Sequence, residues 1–194
     1  MLFQIKSYLQ FLWHSKNEHA VHSPFVFTLL TKCFYDKKFK SDYTILKEYR
    51  NDLLQNKNSI QITDFGAGSR VFKSNTRQIA QIAKTAGISS KRAELLFRIA
   101  NYFQPTTILE IGTSLGLATS ALALGNPKAA ITTLEGCPET LNQCQLQLQK
   151  FNINTVNCIA TEFSSYFQNH QLSTANYQLI YFDGNHSKKA TLDY

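Results

Sequence analysis

The sequence predicts an α/β fold, a parallel sheet wrapped by helices and preceded by a helical region. Three observations predict it. After Pro105, short apolar runs alternate four times with helical stretches, a rhythm that implies right-handed crossovers between parallel strands. The first run ends in a glycine turn, Gly112-Thr113-Ser114-Leu115-Gly116, that opens a helix. The second run ends in an acid, Glu135, 19 residues beyond Gly116.

Residues 1–104 read as helices with one short strand, and 105–194 as the sheet domain. In "MLFQIKSYLQFLW", Leu2, Ile5, Leu9 and Leu12 fall at helical spacing beside Trp13. That suits an amphipathic helix docked on its own domain or on a second copy, with interfacial membrane binding as the alternative. Gln4, Lys6 and Gln10 interrupt any signal-peptide core. "SPFVFTLLTKCFY" (23–35) offers Ser23 as an N-cap and Pro24 at the first helical position. "YTILKEYRNDLLQ" (43–55) is helical by period, and "SIQITDFG" (59–66) alternates like a short strand. "SNTRQIAQIAKTAG" (74–87) reads as one helix closed by Gly87, and "SSKRAELLFRIANYF" (89–103) as another, stopped by Pro105.

Beyond Pro105 the strands are expected in "TTILEIG" (106–112), "AAITTLEG" (129–136), "TVNCIAT" (155–161) and "YQLIYFDG" (177–184). Helices are expected in "LGLATSALALG" (115–125), "PETLNQCQLQLQKF" (138–151) and "EFSSYFQ" (162–168), and a last one begins at "SKKATLDY" (187–194).

Of 194 residues, 43% are hydrophobic and 17% charged, a globular composition. No apolar run approaches the ~20 residues that span a bilayer. Cys33, Cys137, Cys144 and Cys158 form neither a CxxC pair nor a zinc-spaced cluster, so buried free thiols in a reducing cytoplasm are expected. Residues 1–105 hold 16 Lys/Arg against 7 Asp/Glu, and 106–194 hold 4 against 6. A basic first half steers anionic substrates or nucleic acid, or is simply a solvated helical surface; the charges are scattered rather than gathered in one run. His14 and His19 have no evident partner in the sequence.

Two turns compete for a ligand, "TDFGAGSR" (63–70) and "LEIGTSLG" (109–116). A nucleoside-binding βαβ unit needs a second strand about 20 residues after its glycines, ending in an acid that accepts from the ribose hydroxyls. Gly66 and Gly68 fail, because "AKTAGISSK" follows; Gly112 and Gly116 pass, because Glu135 does. Ser114 stands where a dinucleotide fingerprint has its middle glycine, and Glu110 precedes the turn. An acid there repels a pyrophosphate and suits an amine-bearing ligand.

"ILEIGTSLGLATSALAL" resembles motif I of the class I S-adenosylmethionine-dependent methyltransferases, and Glu135 matches their ribose acid. "CIATEF" is similar to their segment near the adenine, with Glu162 as the candidate, and "YFDGNHS" resembles the O-methyltransferase-like members. "VHSPFVF" and "DFGAGSR" are similar to the N-terminal region of an uncharacterised bacterial group. The resemblance implies a Rossmann-like sheet and S-adenosylmethionine as cofactor. Its binding residues would be Glu110, Gly112, Thr113, Ser114, Gly116, Glu135, Gly136, Glu162 and Asp183. Gly112 and Gly116 would admit the methionine part, Glu110 would help hold its ammonium directly or through water, and Glu135 would fix the ribose.

Such a cofactor carries its own activation, so the protein positions the acceptor and removes its proton. Asp183, Asn185 and His186 fall beyond the strand ends, where the acceptor lies in open α/β sheets. Asp183 and His186 are the catalytic candidates. His186 would serve as a general base, or the two would ligate a divalent ion such as magnesium; a helix-capping Asp183 is the plainer alternative. His22, Ser23, Phe25 and Phe27, or Asp64 and Arg70, are candidates for a lid. The resemblance implies a seven-stranded sheet ordered 3-2-1-4-5-7-6. This chain supplies four strands, expected in the order 3-2-1-4, so it is expected to be a fragment whose fourth strand is an open edge. The expected function is O-methylation of a small molecule. RNA or protein methylation and a non-catalytic binding module are the alternatives, and a homodimer is an expected assembly.

Overall fold

The computed structural model describes residues 2–15, 17–63, 72, 74–169 and 177–184. The chain divides between Lys38 and Phe39 into two compact units.

In the first unit, α1 spans Leu2–His14 and carries Leu2, Ile5, Leu9 and Leu12 on one face. A single 3-10 turn follows at Glu18–Ala20, capped by the Asn17 side chain. Helix α2, Pro24–Leu29, starts as expected: Ser23 Oγ accepts from the Val26 N–H, and Pro24 fills the first turn. The expected continuous helix to Tyr35 instead widens into a π turn at Leu30–Phe34.

The second unit begins with α3, Asp42–Gln55. Strands β1, Ser59–Gln61, and β2, Thr76–Gln78, form an antiparallel pair, with Ile60 opposite Arg77. The expected helix over 74–87 is therefore shorter. Its first residues pair with β1, Gln78 stays extended, and only then does α4 run from Ile79 to Thr85. Helix α5 covers Ser90–Phe103 and ends on Gln104 in the left-handed region, just before Pro105.

The sheet domain follows as read: β3 Thr107–Ile111, α6 Leu117–Gly125, β4 Ala130–Glu135, α7 Pro138–Lys150, β5 Val156–Ala160, α8 Phe163–Asn169 and β6 Leu179–Phe182. All pairings are parallel, in the order β5-β4-β3-β6. That is the expected 3-2-1-4 order. Residues 185–194, including the last expected helix, lie outside the described residues.

Strand β3 is central, and four of its five residues are buried. On one face, Ile108 and Ile131 join a large core with Leu46, Tyr49 and Leu53 of α3, Ile79 and Ile82 of α4, Leu96 and Phe97 of α5, and Leu122 of α6. On the other, Leu109, Ile111 and Leu134 meet Tyr166 of α8. The compact division thus falls well before Pro105, where the sequence changes character. Helices α3 to α5 lie against the sheet; a Cβ on Gly125 of α6 would stand only 2.5 Å from the Phe97 carbonyl oxygen of α5.

Parallel register brings the carboxyl ends of β3, β4 and β6 level. The Gly112 and Thr113 N–H groups both donate to Leu134 O, and Asp183 N–H donates to Ile111 O. Gly112 has φ +101°, and a Cβ there would lie 2.5 Å from Asp183 O and 2.8 Å from Gly184 N. Only glycine lets the two strand ends pass so closely. Gly112→Ala is therefore expected to destabilise the protein by at least about 2 kcal/mol. Urea unfolding of the variant beside the wild type measures it.

Candidate functional site

The turn after β3 takes positive φ at three alternate positions, Gly112, Ser114 (φ +49°) and Gly116 (φ +77°). Ser114, at the place of a dinucleotide turn's middle glycine, adopts the left-handed shape despite its Cβ. Gly116 caps α6, and a Cβ there would meet Cys144 Sγ and Tyr49 Oη, each at 2.6 Å.

Beneath the turn, Glu110 is wholly buried. Its Oε2 accepts from Thr119 Oγ1 of α6 at 2.5 Å and Thr133 Oγ1 of β4 at 2.6 Å. Thr133 is in turn 2.6 Å from Thr113 Oγ1. Glu110 Oε1 is buried without a hydrogen-bond partner among the described residues. Burial pushes its carboxyl up to about 8, the two threonines opposing and Asp183 and Cys158 adding to the rise. The sequence reading gave Glu110 to a ligand's ammonium. The structure places it under the turn, out of reach of solvent, where its bonds tie β3, β4 and α6 together.

Glu135 ends β4 beside the turn. One oxygen accepts from the Ser114 N–H at 2.8 Å, the other from the Cys137 N–H at 3.0 Å. Burial raises its pKa, opposed by these bonds and by the Gly136 N–H. Gly112, Ser114, Glu135 and Gly136 keep partial exposure, while Thr113, Leu115 and Gly116 are buried behind them. Cys137 also receives the Thr63 N–H on its sulfur at 3.4 Å, so the chain end after β1 lies next to Glu135. Asp64 and Arg70, with Gly66 and Gly68, lie outside the described residues.

Asp183 ends β6 at the same edge, half-buried, and accepts a hydrogen bond from the Tyr181 hydroxyl. Burial, with Asp183 adding, pushes that phenol up to about 12, which keeps it a donor. Glu162 is exposed at the start of α8, where its carbonyl accepts from the Tyr166 N–H. His186 and Asn185 lie outside the described residues, and among the described ones no three His, Cys, Asp or Glu side chains gather for a metal. His22, Ser23, Phe25 and Phe27 belong to the first unit. Of the cysteines, Cys33, Cys137 and Cys144 are buried free thiols and Cys158 is half-buried.

The structure thus brings together the turn 112–116, Glu135, Gly136 and Asp183. Sequence reading missed Thr119, Thr133, Tyr181 and Tyr49. The two threonines had a faint signal, a polar residue at a core position of α6 and of β4. Tyr49 had none, since its spacing from Leu46 and Leu53 reads as ordinary core.

Solved structures with a similar sheet and helices are methyltransferases. A Podospora anserina methyltransferase bound to S-adenosylhomocysteine superposes with a TM-score of 0.54 at 17% identity, over 87% of this chain and 60% of that one. The chain has the class I methyltransferase fold. An O-methyltransferase from Bacillus cereus in complex with S-adenosylhomocysteine matches at 0.51 and 16% identity, over 78% and 57%. The O-methyltransferase TomG from Streptomyces achromogenes, involved in tomaymycin synthesis and bound to S-adenosylmethionine, matches at 0.50 and 15%, over 79% and 58%. The chain spans about three fifths of the length of these methyltransferases. No family model and no curated protein matches the sequence.

Glu110 is a buried acid in the central strand of the sheet. In the folded state it holds a proton that the unfolded chain gives up above about 4.5. Its contribution to stability is full at low pH and lost as pH rises through about 8. Across that window wild-type stability is expected to fall by about 1.4 kcal/mol per pH unit from this group. Glu110→Gln removes that slope. Urea unfolding of both proteins at several pH values between about 5.5 and 7.5 compares them.

Proposed function

We propose that this chain is an S-adenosylmethionine-dependent methyltransferase acting on an oxygen of a small molecule. One observation carries the reading: a half-buried carboxylate, Glu135, ends the strand next to a turn with three positive φ values and is bonded to that turn's own Ser114 N–H. The site's chemistry fits the donor. Three backbone N–H groups fix the Glu135 carboxylate, and a carboxylate has about four acceptor sites, so capacity remains for a ribose diol. The glycines let the turn close against the β6 end at Gly112 and against Tyr49 and Cys144 at Gly116, and α6 starts directly behind it.

Bound there, the donor would supply a methyl group already activated on a sulfonium. The chain's own residues bind and orient. Glu135 and the Gly136 backbone hold the ribose end, and Gly112 to Gly116 hold the amino-acid end, with Thr113 and Glu110 keeping the turn in shape. Glu162 stands at the adenine end. Asp183, held by Tyr181, faces the acceptor side and orients the nucleophile. From the sequence, His186 would serve as the base, or with Asp183 as ligand of a divalent ion such as magnesium.

The O-methyltransferases among the structural neighbours support the choice of oxygen. The excess of 16 Lys/Arg over 7 Asp/Glu in residues 1–105 favours RNA as the second reading. No helix among the described residues is long and apolar enough to cross a membrane. With four free thiols, we place the protein in a reducing cytoplasm.

Isothermal titration with S-adenosylhomocysteine tests the reading. Binding is expected for the wild type, and Glu135→Ala is expected to weaken it at least about tenfold. Unchanged affinity in the variant removes the ribose role from Glu135; no binding by folded wild type at millimolar ligand removes the donor. Salt-sensitive RNA binding in a gel-shift assay transfers the acceptor to RNA.

A further inference from the structure

The left-handed backbone at Ser114 is a strained shape for a residue with a Cβ, and it persists only if its surroundings hold it. Besides the bonds of the Gly112 and Thr113 N–H groups to Leu134 O and of the Ser120 N–H to Gly116 O, three hydrogen bonds hold the turn's backbone. Gly116 N–H donates to Thr113 O at 3.0 Å, within the turn itself. Ser114 N–H donates to Glu135 at 2.8 Å. The third comes from elsewhere: Tyr49 of α3, 66 residues away in sequence, donates its hydroxyl to Leu115 O at 3.0 Å.

We propose that Tyr49 is a positioning residue for the methyl donor, its hydroxyl holding the Leu115 carbonyl so that Ser114 and Gly116 keep the left-handed shape the ligand meets. The proposal rests on the donor reading above and adds a residue that touches no ligand. Tyr49 is fully buried, its ring tilted against Phe151 at a centroid distance of 5.0 Å. Its oxygen stands where Gly116 would carry a Cβ, beside Cys144 Sγ. The helix behind it is pinned to α7. Gln147 Nε2 donates to Tyr49 O at 3.3 Å and to Asp52 Oδ2 at 2.9 Å, and Lys150 Nζ pairs with Asp52 Oδ1 at 2.6 Å. The hydroxyl therefore cannot follow the turn if the turn relaxes. Burial pushes the phenol well above its ordinary pKa, with Cys144 and Glu110 adding, so it is a donor throughout the working range.

Tyr49→Phe removes one oxygen and keeps the ring. Leu53→Val, on the same buried face of α3, loosens packing without touching the turn. Each is compared with the wild type by calorimetric titration with S-adenosylhomocysteine and by amide hydrogen exchange of the segment 112–117, at a temperature where all three are folded. Tyr49→Phe is expected to weaken S-adenosylhomocysteine about tenfold and to speed exchange across 112–117. Leu53→Val is expected to lower the melting temperature with affinity and turn exchange unchanged. Wild-type affinity and exchange in Tyr49→Phe overturn the proposal, and so does an equal loss of affinity in Leu53→Val at a matched drop in melting temperature. A wild type that binds no S-adenosylhomocysteine defeats the donor reading instead; the exchange rates then still decide whether Tyr49 holds the turn.

Discussion

A carboxyl group without access to water sits under the turn, and the site depends on it. Glu110 is buried in the central strand of the sheet, and two threonine hydroxyls converge on one of its oxygens. An ionised carboxylate in such surroundings is costly, and the protein answers by keeping it protonated well above the usual range. The reward is geometric. Thr119 belongs to the helix after the turn, Thr133 to the neighbouring strand, and Thr113 to the turn itself, so one side chain sets the relative position of all three. The turn built on that floor then closes against backbone at Gly112 and against Tyr49 and Cys144 at Gly116.

The site therefore separates support from contact. Glu110, Thr133, Thr119 and Tyr49 are buried and set shape. Gly112, Ser114, Glu135 and Gly136 are partly open at the carboxyl edge of the sheet, where an open α/β fold receives its ligand. Glu135 works on both sides of this division, since the carboxylate that accepts from the Ser114 N–H is itself partly open. Asp183 stands across the central strand from it, with Tyr181 fixing its carboxylate. The two acids, one beside the turn and one at the end of β6, thus flank the end of the central strand.

Most of the sheet domain was legible because its strands are short runs rich in apolar residues, the central one buried on both faces, and because Gly and Pro punctuate them. Pro105, Gly125, Gly136 and Pro138 mark element ends, right-handed crossovers make the strands parallel, and the order 3-2-1-4, found as β5-β4-β3-β6, came from the resemblance carried by the glycine turn 112–116. That Glu135 ends its strand beside the turn 112–116 was legible too, through the spacing from Gly116 to Glu135. β2 was not: Thr76, Arg77 and Gln78 are polar, and they become a strand only because β1 lies opposite. The division at Lys38 and Phe39 was hidden for a similar reason. Helices α3 to α5 look like an appendage in sequence, yet their apolar faces complete the core against the sheet. Tyr49 and Tyr181 acquire their roles from partners that only folding brings close, so no local pattern announces them.

A crystal structure of the chain with S-adenosylhomocysteine measures the central claim most directly. The account predicts the ribose hydroxyls within hydrogen-bond reach of the Glu135 carboxylate and the amino-acid end along Gly112 to Gly116. A nucleoside held by residues 63–70, or a Glu135 side chain turned away from the sugar, would contradict it.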